Sequence, residues 1–440
     1  MKNWFKRAIS FLLIVALCLT LAVSLTGCAQ YSHNYSNAGE FSCGLARVEK
    51  DLKYGFVDTT GKEVIPCQYD AAESFDNGLA RVRKEWKYGF IDTTGKEAVP
   101  CQYDVAYFFS EGLACVQKGG KRGFIDTAGK IIIPCQYDDA SPFSEGLASV
   151  KKGGKEGYID MTGKVIIPCQ YDIAGSFSEG LALVWKNGKC GYIDMTGKAV
   201  IPCQYDATGP FREGFVWVAQ NRKCGVIDTT GWIVVPCIYD SIWNFSEGLA
   251  GVINDGKCGY IDRTGKVVIP RQYDNVGFFS EGLAAVQKDG KYGFIDTTGK
   301  VVIPCQYSYA GTFSEGFAYV KKDGKYGFID TIGKEIVPCQ YDDAEPFSEG
   351  LARVEKDGKY GFIDKTGKEI ISCQYEKCSG DSFSEGFVKV RKGGKWGVVN
   401  ENGKEVFPCE YDSVGYGEGY FTLIKDGYLS IFDKNRKKGF

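Results

Sequence analysis

The side chains able to do chemistry recur at fixed intervals, and the interval decides how each is read. Histidine, the commonest general base and a frequent metal ligand, occurs once, at His33. Aspartates of the Asp296 type stand beside Thr-Thr-Gly-like stretches in ten copies, where a carboxylate caps turn amides. Glutamates recur in Phe-Ser-Glu-Gly, as Glu111, Glu145 and Glu179. A carboxylate pair could hydrolyse a glycosidic bond, and a periodic acidic row could hold cations or a basic partner. A residue repeated in every copy is better explained as turn capping or a solvated face. Of 18 cysteines, ten share one phase (Cys67, Cys101, Cys135 and onward), and Cys190, Cys224 and Cys258 share a second. Pairing Asp194 with Lys198 sets Cys190 opposite Pro202, with Cys203 on the other pleat face. Equivalent cysteines of successive repeats lie beyond the roughly 7 Å Cα limit for bridging. Free, small, half-buried thiols follow. With no Cys-x-x-Cys spacing, no phosphate-cradling loop and no nucleophile elbow, the expectation is a protein that is not an enzyme and has no metal site or cofactor.

The elements that position these side chains come from one stretch, residues 288–307, copied along almost the whole chain. The glycine equivalent to Gly293 returns every 34 residues from Gly55 to Gly361, and once more at Gly397 after 36. Such a period marks a repeat array. Lys288 and Lys291 flank Asp289-Gly290, a type I′ hairpin signal. Asp296 and Lys300 flank Thr297-Thr298-Gly299, which suits a type I turn closed by a left-handed glycine. Each repeat is then a three-stranded meander over about 283–288, 291–296 and 300–306. This register pairs Ile295 with Val301 and Gly293 with Ile303. Ala284, Val286, Ile295 and Ile303 share one face, and Phe294, Val302 and Pro304 the other. Glycine weakens a strand interior, so a backbone or a ring must lie against Gly293; Phe279 is the ring expected there. Both faces are apolar, so stacked neighbours must cover them. The fold class is all-β, a tandem array of about eleven 34-residue three-stranded meanders, stacked as an open superhelix. One or two closed β-propellers are the alternative, although propellers use roughly four to eight blades of about four strands.

The pattern Lys-x-Gly-[Phe/Tyr]-Ile-Asp, Gly-Lys, Ile-Pro-x-x-Tyr-Asp and Phe-Ser-Glu-Gly-Leu-Ala resembles the bacterial WG-repeat family from Phe41 to about Lys437. The eponymous pair survives only as Trp396-Gly397; Tyr54, Tyr88, Arg122, Glu156, Cys190, Tyr292 and others stand at the first position elsewhere. The resemblance implies a β-rich repeat scaffold and leaves activity open.

Residues 1–27 read as a lipoprotein signal: Lys2, Lys6 and Arg7, an apolar run, then Leu25-Thr26-Gly27 before Cys28. The motif resembles that of bacterial lipoproteins, which implies lipidation of Cys28. Residues 28–40 then form a tether and residues 41–440 the array, with a degenerate final repeat and basic tail as its cap. The formal charge of −2 gives no basic excess for nucleic acid. The expected location is extracytoplasmic, with membrane contact through the N-terminal lipid only.

Recurring positions build such a scaffold, and changing ones are free to recognise a ligand. The residue after Leu-Ala varies most (Arg47, Arg81, Trp217, Gly251, Tyr319), and the sixth repeat departs furthest, through Trp217, Trp232 and Trp243. These three tryptophans are the candidate ligand-binding residues. The leading function is an envelope scaffold that binds a surface or envelope protein; the alternative is binding of a cell-wall glycan or oligosaccharide, and a glycoside-type hydrolase is more remote.

Overall fold

A computed structural model describes residues 35–380 and 383–434. The expected signal segment, Cys28 and His33 lie outside the described residues. The rest is all-β: eleven four-stranded antiparallel sheets and a final three-stranded one, not eleven three-stranded units.

One sheet stands for the others. Its strands, in order, are Asn275–Val276, Leu283–Lys288, Lys291–Asp296 and Val301–Tyr307. Asp289 and Gly290, with φ of 53° and 74°, close the first long hairpin, as a type I′ turn requires. The second turn is held by its own aspartate. One Asp296 carboxylate oxygen accepts hydrogen bonds from Thr298 N (2.9 Å), Thr298 Oγ1 (2.6 Å) and Lys300 N (3.0 Å). The extra strand comes from the segment after Tyr-Asp, only two residues long, which crosses to pair with the next long strand (Val276 with Val286).

The register corrects the expected faces. Ala284 pairs with Ile295 and Val286 with Gly293. Ile295 pairs with Val301, but the third long strand then bulges twice, so Ile303 pairs with Phe294 and Tyr307 with Tyr292. Ile303 therefore lies with Phe294 on the opposite face from Ala284. Each bulge inserts residues without partners and re-aims the side chains that follow. The same bulge sets Cys190 against Tyr205, not Pro202. It also explains Gly293. A Cβ there would sit 2.6 Å from Cys305 N and 2.7 Å from Pro304 C, so the bulged backbone occupies the side chain's place. Phe279 is elsewhere, against Tyr260 of the preceding sheet with ring centroids 4.9 Å apart.

Within each body, apolar residues of consecutive sheets make cores where the sheets pack. Leu283, Phe294, Ile303 and Tyr307 of one sheet meet Ala310, Phe313, Ala318, Val320 and Ile329 of the next. Repeats are also joined by carboxylates of the Phe-Ser-Glu-Gly turn. Glu281 accepts from Gly316 N (2.9 Å), and Glu315 from Glu349 N (2.7 Å) and Gly350 N (2.9 Å). The periodic acidic row thus caps the following turn.

The chain divides into two compact bodies. Of the described residues, the first holds those up to Gln102, Gly394–Gly397 and those from Val406; the second holds those of Tyr103–Gly393 and Val398–Glu405. Within the first body the two ends of the array meet. Asn37–Ser42 packs on Ser413–Gly417 and Tyr420–Lys425. Glu418 accepts from the amides of Cys43 (2.8 Å) and Gly44 (2.9 Å), repeating the glutamate cap across 375 and 374 residues of chain. Tyr35, Ala38, Phe41 and Val48 share a core with Ile424, Leu429 and Ile431. These contacts overturn the open superhelix, whose first and last repeats would not touch, and with it the solvent-facing C-terminal cap. Four-stranded sheets match the strand count of propeller blades, the alternative expectation. The array also starts earlier than expected, because residues 37–40 of the presumed tether belong to the first strand.

Candidate functional site

The changing position after Leu-Ala is answered inside its own sheet. Its neighbour across the strand pair is the third residue after Tyr-Asp, and the two vary together. Where one is Trp217 the other is Gly209, whose missing Cβ makes room for the indole. Where the neighbour is Trp243, the position is Gly251, and Tyr319 likewise lies over Gly311. Glu345 and Arg353 form an ion pair at 3.1 Å, Glu73 and Arg81 another, and Ser149 donates to Ser141 at 3.0 Å. Large residues face glycine and charges face their opposites. Much of the variation is packing compensation.

Of the three expected ligand residues, the structure brings two together. Trp217 and Trp243, both half-buried, line one cleft with Arg212, Phe215, Val226 and Phe245. Its enclosed volume is about 10 Å³, no more than one water needs, so it is a shallow crease. Trp232 does not line it. That residue is 72% exposed on the turn capped by Asp228, whose carboxylate accepts from Trp232 N at 2.9 Å.

A second aromatic group lies outside the three expected ligand residues. Tyr309, 40% exposed on its two-residue strand, is ringed by Tyr319, Tyr292 and Tyr326 at centroid distances of 5.8, 6.0 and 6.2 Å. Tyr319 lies 6.1 Å from Tyr326, and the Lys321 ammonium sits 4.5 Å from the Tyr326 centroid. The Tyr309 and Tyr319 hydroxyls are 3.5 Å apart. Burial, then the hydrogen bond with Tyr309, raises the Tyr319 phenol well above its ordinary value, so it stays protonated and can donate.

Beside this cluster a repeated ion pair is broken. In neighbouring repeats the lysine after the first hairpin pairs with the aspartate of Tyr-Asp, as Lys257 does with Asp274 at 2.7 Å and Lys325 with Asp342. Ser308 replaces that aspartate and donates to Lys321 O at 3.0 Å. The exposed Lys291 thus lacks the carboxylate its equivalents have. The sequence signal was present in Tyr307-Ser308-Tyr309, but its meaning depends on the short strand that carries Tyr309.

The described cysteines are all free. Most of their thiols face backbone carbonyls, as Cys305 does Val286 O at 3.7 Å. Burial pushes the Cys115 thiol up to about 12 and that of Cys67 to about 11, so neither is a ready nucleophile.

A family model described as "WG containing repeat" matches twelve consecutive segments, from residues 32–54 to residues 396–428. No curated protein matches the chain in sequence. Among solved structures, the extracellular domain of a hybrid two-component system protein from B. thetaiotaomicron is 11% identical with a TM-score of 0.25. That match covers 93% of this chain and 70% of the other. BamB from Moraxella catarrhalis is 13% identical with a TM-score of 0.29, over 77% and 99% of the two chains. Virginiamycin B lyase from Staphylococcus aureus is 15% identical with a TM-score of 0.25, over 51% and 92%. At these scores none of the three supports an inference about this chain.

Proposed function

The chain belongs to the WG-repeat family, and from that premise we propose that it is a non-catalytic, extracytoplasmic binding scaffold, lipid-anchored through Cys28, whose ligand is an oligosaccharide of the cell envelope. The repeated carboxylates support a scaffold role. Asp296 and Glu281 are engaged by turn amides, and Asp274 by Lys257 and the Asp289 amide. The observation that carries the ligand class is the tyrosine cluster around Tyr309. Its rings give the C–H face of a sugar flat area at low entropic cost, and each ring brings a hydroxyl. Lys291 and Ser308 add polar groups at the same place.

A glycan array probed with the full chain tests this. Retention of a defined glycan, lost in Tyr309→Ala, is the expected result; no retained glycan, or equal retention by the variant, would contradict it. Anchoring is tested separately. Cys28→Ala should give an uncleaved or soluble product, and unchanged detergent partitioning with normal maturation would rule the anchor out.

A protein partner is the second reading, favoured by the Trp217–Trp243 cleft. Its lining of Phe215, Phe245 and Arg212 beside two half-buried indoles offers an apolar contact patch that includes a cation. Crosslinking followed by pull-down, repeated with Trp243→Ala, tests that reading.

A further inference from the structure

The first long hairpin of every repeat ends in two residues at positive φ. In nine repeats the second of the two is glycine, from Gly120 to Gly427; the exceptions are Leu52, Trp86 and Arg222, at φ of 59°, 63° and 63°. A bulky side chain is strained in that region, and these hairpins would form more easily with glycine. Leu52 and Trp86 gain no burial in exchange: they are 82% and 79% exposed. The Arg83 guanidinium sits 5.0 Å from the centre of the Trp86 ring, yet most of the indole faces solvent.

The two tips are locked side by side within the first body. One carboxylate, that of Asp70, takes the ammonium of Lys53, next to Leu52, and the amide of Glu85, next to Trp86, at 2.8 Å. The described chain begins at the same place. Tyr35 N donates to Gly427 O, on the tip of the last hairpin, at 3.0 Å, and Ser36 N donates to Glu49 O, near the end of the strand that leads to Leu52, at 2.8 Å. Tyr428, beside Gly427, replaces the lysine of other repeats and is 46% exposed. A leucine and a tyrosine thus sit on the two hairpin tips that flank the point where the described chain begins, and a tryptophan sits on the tip next to the leucine.

From this arrangement we infer that Leu52, Trp86 and Tyr428 form a membrane-docking rim that enters the headgroup layer beside the lipid anchor. The inference rests on lipidation of Cys28, proposed above, and adds a protein contact to an attachment read from the sequence as lipid alone. Residues 28–34 span at most about 24 Å when fully extended, so an anchored Cys28 keeps these tips close to the bilayer. Tryptophan and tyrosine favour the headgroup boundary, where an apolar ring and a polar atom are both satisfied.

The test uses the lipidated full chain in vesicles of phosphatidylcholine and phosphatidylglycerol, with part of the lipid brominated near the headgroup. Quenching of tryptophan emission is expected in the wild type and its loss in Trp86→Gly. The melting temperature should be unchanged or higher, since glycine suits the turn. Leu52→Gly should weaken quenching while leaving Trp86 in place. Mass analysis of the N-terminal peptide in the same samples reports the lipid. Lipid present with no wild-type quenching, or with equal quenching in Trp86→Gly, overturns the rim alone; lipid absent from Cys28 overturns the anchor and the rim with it.

Discussion

Two runs of repeats in the second body use one scaffold position in opposite ways. The second residue of the middle long strand is cysteine in Lys189–Asp194, Lys223–Asp228 and Lys257–Asp262, and tyrosine in Lys291–Asp296, Lys325–Asp330 and Lys359–Asp364. In the cysteine run Cys190 and Cys258 are fully buried, with thiols 3.4 and 3.5 Å from the carbonyls of Tyr205 and Asp274. The bulk of that run sits in Trp217 and Trp243, each laid over a glycine of its own sheet. In the tyrosine run Tyr292 and Tyr326 stay half-exposed and gather around Tyr309. Irregular residues are therefore not equivalent. Trp217 and Trp243 in the cysteine run are compensated within the sheet, whereas Tyr309 in the tyrosine run stays 40% exposed.

The largest expected effect tests whether both runs share one scaffold. Gly191→Val and Gly293→Val place a Cβ 2.6 Å from backbone atoms, Pro202 C and Cys305 N respectively. Backbone held on both sides cannot yield, so each should cost about 3 kcal/mol or more as overpacking. Denaturant melts showing a large loss in one run and none in the other would break the comparison. Next, Trp217→Ala should remove about 2 kcal/mol of packing, while Tyr309→Ala should stay within about 0.5 kcal/mol. Equal melting shifts would erase the distinction between compensated and available aromatics.

Smaller per site is the acid response, which should be alike at Asp194 in one run and Asp296 in the other. Hydrogen bonds first from Thr196 or Thr298, then from nearby amides, lower the carboxyl pKa of Asp194 and Asp296 below the ordinary 3.8. A lowered folded-state value means that the stabilisation is complete above pH 3.8 and is lost as pH falls through the folded value. Stability measured against pH should therefore be flat from pH 7 to about 5 and fall below about 4; a fall beginning near pH 6 would point to other groups. Smallest of all, Lys300→Ala on the exposed turn should change stability by no more than about 0.5 kcal/mol.

The hairpins, the aspartate-capped turn and the face shared by Ala284, Val286 and Ile295 were legible because each follows from residues adjacent in sequence. So was the close backbone at Gly293, although Phe279 was the wrong ring to place there. The fourth strand was hidden by its length, since two residues cannot show an alternation. The double bulge was hidden because Val-Val-Ile-Pro-Cys-Gln-Tyr reads as a continuous strand, and the bulge moves Ile303 to the other face. The meeting of the two ends rests on contacts such as Glu418 with Cys43 and Gly44, which have no local signature. Trp217 and Trp243 could be singled out by eye, but their glycine partners become meaningful only once the short strand supplies the register. The tyrosine cluster needed that same strand.

The central claim is that recognition belongs to the tyrosine run and not to the tryptophans. The direct measurement is calorimetric titration of an array-selected glycan into the full wild-type chain, Tyr309→Ala and Trp217→Ala, with melting curves on the same samples. The account predicts that Tyr309→Ala loses about thirtyfold in affinity, the size of a hot-spot residue, at an unchanged melting temperature. Trp217→Ala should keep the affinity and melt lower. The reverse pattern, affinity lost with Trp217 and kept without the Tyr309 ring, would contradict it.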